Sequence, residues 1–233
     1  MRKRFLVLSL LAVLASCGGG GGSMPSVPAG AAAGGPVSGG HTTAKVVFSI
    51  TVPASRGRKP ATVSPSTQSV TIAVNGAAPQ AFNIALTAAG CGPGSGGPVS
   101  CGFTLNVPVG SDTFEVITWD TPGGAGHPLN VGDSIVTIVA NQVNTVPLTL
   151  TTWAVANLND AGAGSLRQIL SGVSSGDTIG FAVRGQINIA SAPLTTTSSV
   201  GFVGPLFGAP VVLDGGGINT ILTLGGSTLT VSL

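Results

Sequence analysis

The sequence has very few charged, aromatic or titratable side chains. Only 7% of its 233 residues are charged, tyrosine is absent and histidine occurs twice. Although 37 glycines and 16 prolines are present, low charge combined with many Val, Ile, Leu and Thr residues argues against disorder for most of the chain. The composition therefore favours an all-β surface protein over an enzyme that depends on clustered titratable groups.

The positive charges are concentrated at the N-terminus. Nine Lys and Arg residues face seven Asp and Glu residues, and Arg2, Lys3 and Arg4 are three of the nine. Without these three, six basic and seven acidic residues remain, which gives a net charge of −1. A nucleic-acid partner requires a dense basic face, so no nucleic-acid partner is predicted.

The N-terminus has the pattern of a bacterial export signal. An apolar run from Phe5 to Leu14 follows the basic residues, and it is shorter than the roughly 20 residues that a membrane-spanning helix needs. The run ends in Leu-Ala-Ser-Cys, whose cysteine is Cys17, and this tetrapeptide resembles the bacterial lipobox. The resemblance implies that residues 1–16 are a cleaved lipoprotein signal peptide, and that acylated Cys17 anchors an exported protein in the lipid bilayer of the outer membrane or cell surface. An ordinary secretory signal with a chance cysteine is the alternative.

Residues 17–40 are rich in Gly, Pro and Ser and show no apolar periodicity. Nothing in them can be buried to offset the entropy cost of ordering. They therefore predict a lipid-anchored flexible linker that lifts the folded part of the protein off the lipid surface.

Two cysteines remain if Cys17 carries lipid. Cys91 and Cys101 bracket a Gly/Pro/Ser-rich loop, and a thiol pair outside the cytoplasm is expected to oxidise. Closing so short a loop contributes about 2.5–3 kcal/mol in the chain-entropy model. A metal site is the competing interpretation, but neither a His nor a further Cys lies nearby. We predict a disulfide, with no metal and no cofactor.

Residues 41–152 show short segments of alternating apolar and polar residues separated by turn residues. Such a series of short strands predicts an immunoglobulin-like or fibronectin-like β-sandwich. The predicted strands cover residues 46–52, 70–74, 82–86, 103–107, 114–118, 134–139 and 143–150. Within this region Arg56, Arg58 and Lys59 form a basic cluster, which is predicted to be a solvated loop or, alternatively, a contact for anionic sugar or lipopolysaccharide.

A different pattern begins at residue 153. Residues 153–170 read WAVANLNDAGAGSLRQIL, and residues 176–181 read GDTIGF. In this order the two segments resemble the two opening motifs of surface proteins that have a right-handed parallel β-helix of the pectin-lyase type. These motifs are V-x-N-x-x-D-x-G-x-G-S-L-R-x-A-I and G-D-T-I-x-F. Ile169 stands where that family usually has Ala. The resemblance covers residues 153 to about 217, and it implies that residues 153–233 form the N-terminal cap and first coils of such a β-helix.

The residues of the first motif predict a short capping helix. Ser165 and Gln168 form a capping box, in which each side chain satisfies a free backbone donor of the first turn. Leu166, Ile169 and Leu170 then share one face, which can plug the open end of a β-solenoid. Arg167 is predicted to be a solvated or locally paired surface residue, with a ligand contact as the alternative.

Further short strands are predicted after the helix. They cover residues 178–183, 186–189, 200–203, 211–213, 221–224 and 228–233. This length allows only two to three coils, whereas about three repeats are the usual minimum. The last strand also has no polar cap. We therefore expect either a truncated open reading frame or self-association through the uncapped C-terminal coil.

The predicted function is non-enzymatic. Polysaccharide lyases with a β-helix need clustered carboxylates and a positioned Arg or Lys, but Asp160, Asp177 and Asp214 cannot be nominated as a pair, and His41 and His127 lack motif partners. We predict a surface stalk with an adhesive or carbohydrate-contacting role, whose partner is an extracellular polysaccharide or cell-surface glycan. The alternatives are a fragment of a polysaccharide-processing enzyme, with its active coils missing, and a structural envelope component without a ligand.

Overall fold

Segments in which apolar and polar residues alternate form β-strands, and strands make up nearly all of the secondary structure. The structure, a computed structural model, describes residues 42–53, 63–94, 99–217, 220–226 and 228–232. These residues contain 16 strands and a single five-residue helix, which confirms the predicted all-β class. Cys17, the predicted signal peptide and linker, and the basic cluster at Arg56, Arg58 and Lys59 lie outside the described residues.

The first eight strands form two four-stranded sheets. They are β1 (Thr43–Val52), β2 (Ser69–Val74), β3 (Gln80–Asn83), β4 (Cys91–Pro93), β5 (Val99–Pro108), β6 (Gly110–Thr121), β7 (Ala125–Ile138) and β8 (Val143–Thr145). The strand orders are β4-β5-β1-β8 and β3-β2-β6-β7. The pairings are antiparallel, except that β8 lies parallel to β1.

The two sheets bury their alternating apolar residues in a shared core. Phe48 on β1 and Phe114 on β6 are fully buried, and their ring centroids lie 5.4 Å apart in an edge-to-face arrangement. Such a pair adds about 0.5–1.5 kcal/mol beyond its area of burial. The strand predicted over residues 143–150 ends at Thr145, shortly before Pro147, which has no N–H to donate to a sheet.

The remaining strands pair only in parallel. They are β9 (Trp153–Val155), β10 (Thr178–Phe181), β11 (Gly185–Asn188), β12 (Leu194–Thr196), β13 (Val200–Val203), β14 (Val211–Asp214), β15 (Leu222–Leu224) and β16 (Leu229–Ser232). Helix α1 (Leu166–Leu170) lies between β9 and β10 in the chain. Each strand from β10 to β13 pairs with the third strand after it, so the chain returns to the same sheet after every third strand.

The parallel strands enclose a second apolar core. Phe181 and Phe202 stack edge to face with ring centroids 6.1 Å apart. The apolar face of α1 covers this core, since Leu166, Ile169 and Leu170 are all buried. In the described part of the chain, no helix has the length and apolar composition of a membrane-spanning segment.

The antiparallel and parallel regions belong to one compact unit, Gly40–Leu233. An apolar contact and an ionic contact join them. Ile117, Val131 and Ala154 form a small buried cluster. A Cβ atom at Gly132 would lie 2.8 Å from the Thr149 carbonyl oxygen, and one at Gly180 would lie 3.0 Å from Val131 Cβ. Gly180 therefore permits the close approach of β10 to β7, and Gly132 permits that of β7 to the connection that leads into β9.

An ionic contact forms the second junction. Arg184, which lies between β10 and β11, pairs with Glu115 on β6. Leu206 donates its backbone N–H to Asp133 Oδ2 over 3.2 Å. Asp133 and Glu115 are cross-strand neighbours on β7 and β6, so two carboxylates lie close to one guanidinium.

Candidate functional site

A groove of about 530 Å³ lies where the antiparallel and parallel regions meet. We call it the junction groove. Small-molecule sites have volumes of roughly 300–1,000 Å³ and often lie between two structural regions of a protein, and the groove fits both criteria. The antiparallel region lines it with Val63, Ser64, His127, Pro128, Leu129 and Asn130, and the parallel region with Trp153, Ala156, Gly164, Gln168, Ile169 and Gly172.

Asn130 holds one wall of the groove in place. Its side chain is 1% exposed, and its Oδ1 accepts from Ser64 N at 3.0 Å and from Thr118 Oγ1 at 2.9 Å. Its Nδ2 donates to the Thr151 carbonyl oxygen at 2.7 Å. A single buried amide thus ties the 63–66 segment, β6 and the connection to β9 together, which fixes the relative position of the groove walls.

Trp153 forms part of the opposite wall, and its ring is held in one orientation. The indole Nε1 donates to Asp177 Oδ2 at 2.9 Å. Asp177 is buried and also accepts from Ser174 N at 2.9 Å. The aspartate of the Gly-Asp-Thr-Ile segment therefore positions an aromatic ring. Sequence analysis did not identify Trp153 as a site residue, and its position at the start of the first motif was the available signal.

Gln168 reaches the groove from α1. Ser165 Oγ accepts from Gln168 N at 3.3 Å, as in a capping box. The second hydrogen bond of the predicted capping box, from Ser165 N to the Gln168 side chain, is not formed. Gln168 Oε1 instead accepts from Gly164 N at 2.7 Å, and Ser165 N donates to the Gly162 carbonyl oxygen. The side-chain amide nitrogen of Gln168 has no acceptor among the described residues.

His127 lies on β7 at the other side of the groove. Its backbone N–H donates to Asp120 Oδ1 at 2.7 Å, which fixes the start of the strand. The residue is exposed, and within the described ranges its imidazole has no hydrogen-bond partner. His127 and Gln168 therefore offer polar atoms from two different regions of the chain.

The described residues that line the groove include no Asp, Glu, Lys or Arg. In the same part of the chain, no three His, Cys, Asp or Glu side chains are grouped so that they could hold a metal ion. The basic cluster of Arg56, Arg58 and Lys59 is outside the described residues, so both interpretations of it stay predictions.

The other sequence-predicted carboxylates each have partners elsewhere. Asp160 pairs with Arg167 at 2.5 Å between Oδ1 and Nη2, and its Oδ2 accepts from Ser191 N at 2.8 Å. Hydrogen bonds from Ser191 and then from Arg167 hold the pKa of Asp160 well below its usual range. Asp214 accepts from Gly216 N at 2.8 Å in a turn and from Gln186.

Cys91 and Cys101 are cross-strand partners on β4 and β5. Their Cα atoms lie 4.0 Å apart and their sulfur atoms are at bonding distance. Cys101 is buried in the first core. The pair joins β4 and β5, and neither cysteine lines the junction groove.

No protein-family model matches this chain, and neither a curated protein nor a solved structure was found to be similar to it. The functional argument therefore rests on the residues and on their geometry.

Proposed function

We propose that the protein is a non-enzymatic cell-envelope lipoprotein, acylated at Cys17, whose body forms a stalk that contacts carbohydrate at the junction groove. The export signal and the Leu-Ala-Ser-Cys tetrapeptide support the lipid anchor. The 17–40 segment supports the tether, because Gly/Ser-rich chain is flexible. The partners are the lipid bilayer and an extracellular polysaccharide or cell-surface glycan.

The finer fold assignment belongs to the same proposal. Two facing four-stranded sheets support an immunoglobulin-like sandwich over residues 41–152. Exclusively parallel pairing with a three-strand period supports a right-handed parallel β-helix from residue 153. The apolar face of helix α1 covers the second core, as expected for the N-terminal cap of such a β-helix.

The junction groove is the observation that carries the binding role. It combines an oriented aromatic ring, apolar walls and a few polar groups, which is the composition of small-molecule sites. Its walls are fixed by the hydrogen bonds of Asn130 and Asp177. A preformed site of this kind avoids part of the entropy cost of binding.

The lipoprotein part is tested by expressing the full-length chain and a Cys17→Ala variant in a bacterial host with a clickable palmitate. The wild-type chain should incorporate the label and sediment with membranes, whereas the variant should remain unlabelled. Recovery of unlabelled wild-type protein in the cytosol would contradict the proposal.

A polysaccharide-processing enzyme is the second candidate. One observation favours it, namely a shallow depression of about 330 Å³ across β10 and β13 that is lined by Asp177, Thr178, Ser199, Thr228 and Thr230. Because Asp177 is already bound to Trp153 and Ser174, we favour the binding role. Release of unsaturated products from pectin or alginate in the presence of calcium would favour the enzyme instead.

A further inference from the structure

We infer that the folded body makes a second contact with the membrane, through an exposed apolar patch where the tether joins the antiparallel region. This inference rests on the proposed lipid anchor and extends it to the folded part of the chain. The patch, which we call the entry patch, consists of Thr42, Lys45, Val109, Val139 and Val143. All five residues are exposed, and Val143 reaches 72%. Neighbouring apolar side chains that remain exposed mark interaction surfaces.

Val109 and Val139 lie beside each other at the ends of two paired strands. Gly110 on β6 pairs with Ile138 on β7; Val109 precedes the first of these residues and Val139 follows the second. The backbone N–H of Val109 also donates to the Thr42 carbonyl oxygen at 2.9 Å. Thr42 is the first described residue after the predicted tether, so the tether reaches the body next to these two valines.

Asn144 fixes the rest of the entry patch. Its Oδ1 accepts from Val139 N at 2.9 Å, and its Nδ2 donates to the carbonyl oxygens of Lys45 at 3.3 Å and Val139 at 3.0 Å. Val143 pairs with Lys45 between β8 and β1, so this valine lies next to the lysine. A buried amide thus holds the patch in one arrangement, and a contact made there requires little further ordering.

The charges of the entry patch suit a phospholipid surface. Among the described residues of the connections that form this end, Lys45 carries the exposed charge, whereas Asp112 is buried and accepts a hydrogen bond from the Asn75 side chain. Residues 17–41, which join the body here, contain no Asp, Glu, Lys or Arg. A lysine beside apolar side chains suits a membrane surface, because its ammonium group attracts lipid phosphates while the apolar groups enter the headgroup region.

The tether identifies the lipid bilayer as the partner. A Gly-rich chain of the length of residues 17–40 has an r.m.s. end-to-end distance of about 25–30 Å, which permits contact as well as separation. It keeps the entry patch near the bilayer at an effective concentration in roughly the millimolar range, so even a weak contact is populated. A second copy of the chain fits less well, because β8, the edge strand of the patch, has three residues and offers little backbone to pair with.

The opposite end of the antiparallel region provides a matched reference position. Leu86 is 60% exposed and lies between β3 and β4. On β4, Cys91 pairs with Cys101, and Cys101 pairs with Ile50 near the C-terminal end of β1. The entry patch lies at the N-terminal end of β1, about 20 Å away along the strand. The basic cluster also follows the C-terminal end of β1, so Leu86 reports on that end.

The test compares two labelled positions in the full-length acylated protein on vesicles of phosphatidylcholine and phosphatidylglycerol. Lipid blocks Cys17, and the disulfide blocks Cys91 and Cys101, so Val143→Cys and Leu86→Cys each add a single reactive thiol for the fluorophore NBD. The vesicles carry a nitroxide-labelled lipid as the quencher. We expect NBD emission at position 143 to shift to the blue and to be quenched, and NBD emission at position 86 to do neither.

Further variants connect this signal to the entry patch. Val109→Ser combined with Val139→Ser removes apolar surface and should lower the ratio of docked to undocked protein about tenfold. Lys45→Gln should lower this ratio about fivefold on the anionic vesicles and leave it unchanged on pure phosphatidylcholine. Val212→Ser, at an exposed valine on β14, is the control and should have no effect. Because all of these side chains are exposed, the fold should tolerate the changes.

The outcomes separate this inference from the proposed function. Equal quenching at positions 143 and 86, or no quenching at position 143 of a palmitate-labelled protein, would overturn the membrane contact and leave the lipid anchor standing. A blue shift at position 143 without nitroxide quenching would also overturn it, because the patch would then be covered by the tether or by a second copy. A wild-type chain without palmitate label would overturn the lipoprotein proposal, and this inference with it.

Discussion

Arg167 on α1 forms an ion pair with Asp160 in the segment that connects β9 to α1, with 2.5 Å between Nη2 and Oδ1. The guanidinium also donates to the carbonyl oxygens of Asp160 at 3.1 Å, Pro193 at 3.0 Å and Ala192 at 2.6 Å. Arg167 thus joins α1 to the segment that leads into β12. Of the alternatives that the sequence left open, local pairing describes this residue.

Replacing Arg167 with Met should destabilise the protein. Methionine keeps most of the apolar length but loses every donor, so three carbonyl groups and the Asp160 carboxylate lose the hydrogen bonds that Arg167 donates. We expect the free energy of unfolding to fall by about 2–3 kcal/mol, measured by urea denaturation. Lys45→Met is the matched control, because this variant loses the same charge but no side-chain hydrogen bond to another described residue. An equal effect of both variants would contradict the role of Arg167.

The link between Cys91 and Cys101 should contribute measurably to stability. Removing both thiols with Cys91→Ala and Cys101→Ala should lower the free energy of unfolding by about 2.5–3 kcal/mol, because the unfolded chain regains the entropy of the open loop. The measurement is urea denaturation with and without dithiothreitol. Reductant should bring the wild type close to the double variant and leave that variant unchanged. Two free thiols in the untreated exported protein would contradict the prediction.

Local patterns in the sequence predicted those parts of the fold that depend on neighbouring residues. Alternation located β1, since Val46, Phe48 and Ile50 are all buried. The first motif located α1, whose three predicted apolar residues are buried as well. The short strand β12 was missed, because three residues next to Ser and Pro carry too little periodicity to be recognised.

The candidate site was not predictable in the same way. His127 and Gln168 were each noted for local reasons, as a loop histidine and as a helix cap. They reach one groove because the antiparallel and parallel regions pack together around Ala154, where Gly180 allows β10 to approach β7 closely. Nothing in the local pattern around either residue reports that contact, since it depends on tertiary packing. The parallel pairing of β8 with β1 also depends on tertiary packing, so the local sequence pattern did not predict it.

Asn130 should be the most sensitive polar residue of the groove wall. Asn130→Ala removes hydrogen bonds to Ser64, Thr118 and Thr151 from a buried site. We expect a loss of about 2–4 kcal/mol in the free energy of unfolding, together with faster hydrogen exchange at Ser64 N. Asn106→Ala on the exposed face of β5 is the control and should change stability little. Unchanged exchange at Ser64 N would contradict the role of Asn130 in fixing the wall.

Asp133 should destabilise the protein when it is charged. Burial raises the pKa of its carboxyl group, and the neighbouring Glu115 adds to the effect. Because its pKa is higher in the folded state than the value of about 3.9 expected in the unfolded state, stability falls as the pH rises from about 4 through the folded-state pKa.

Asp133→Asn removes this penalty and keeps an oxygen that accepts from Leu206 N. The variant should therefore be more stable than the wild type at pH 7 by about 0.5–1 kcal/mol, and the difference should shrink toward pH 4. Urea denaturation of both proteins across this range provides the measurement. Glu115→Gln is a useful contrast, because it weakens the pairing with Arg184 and should lower stability at pH 7. An Asp133→Asn variant that is less stable than the wild type at pH 7, with a deficit that shrinks as the pH falls, would show that the charged carboxylate stabilises the junction instead.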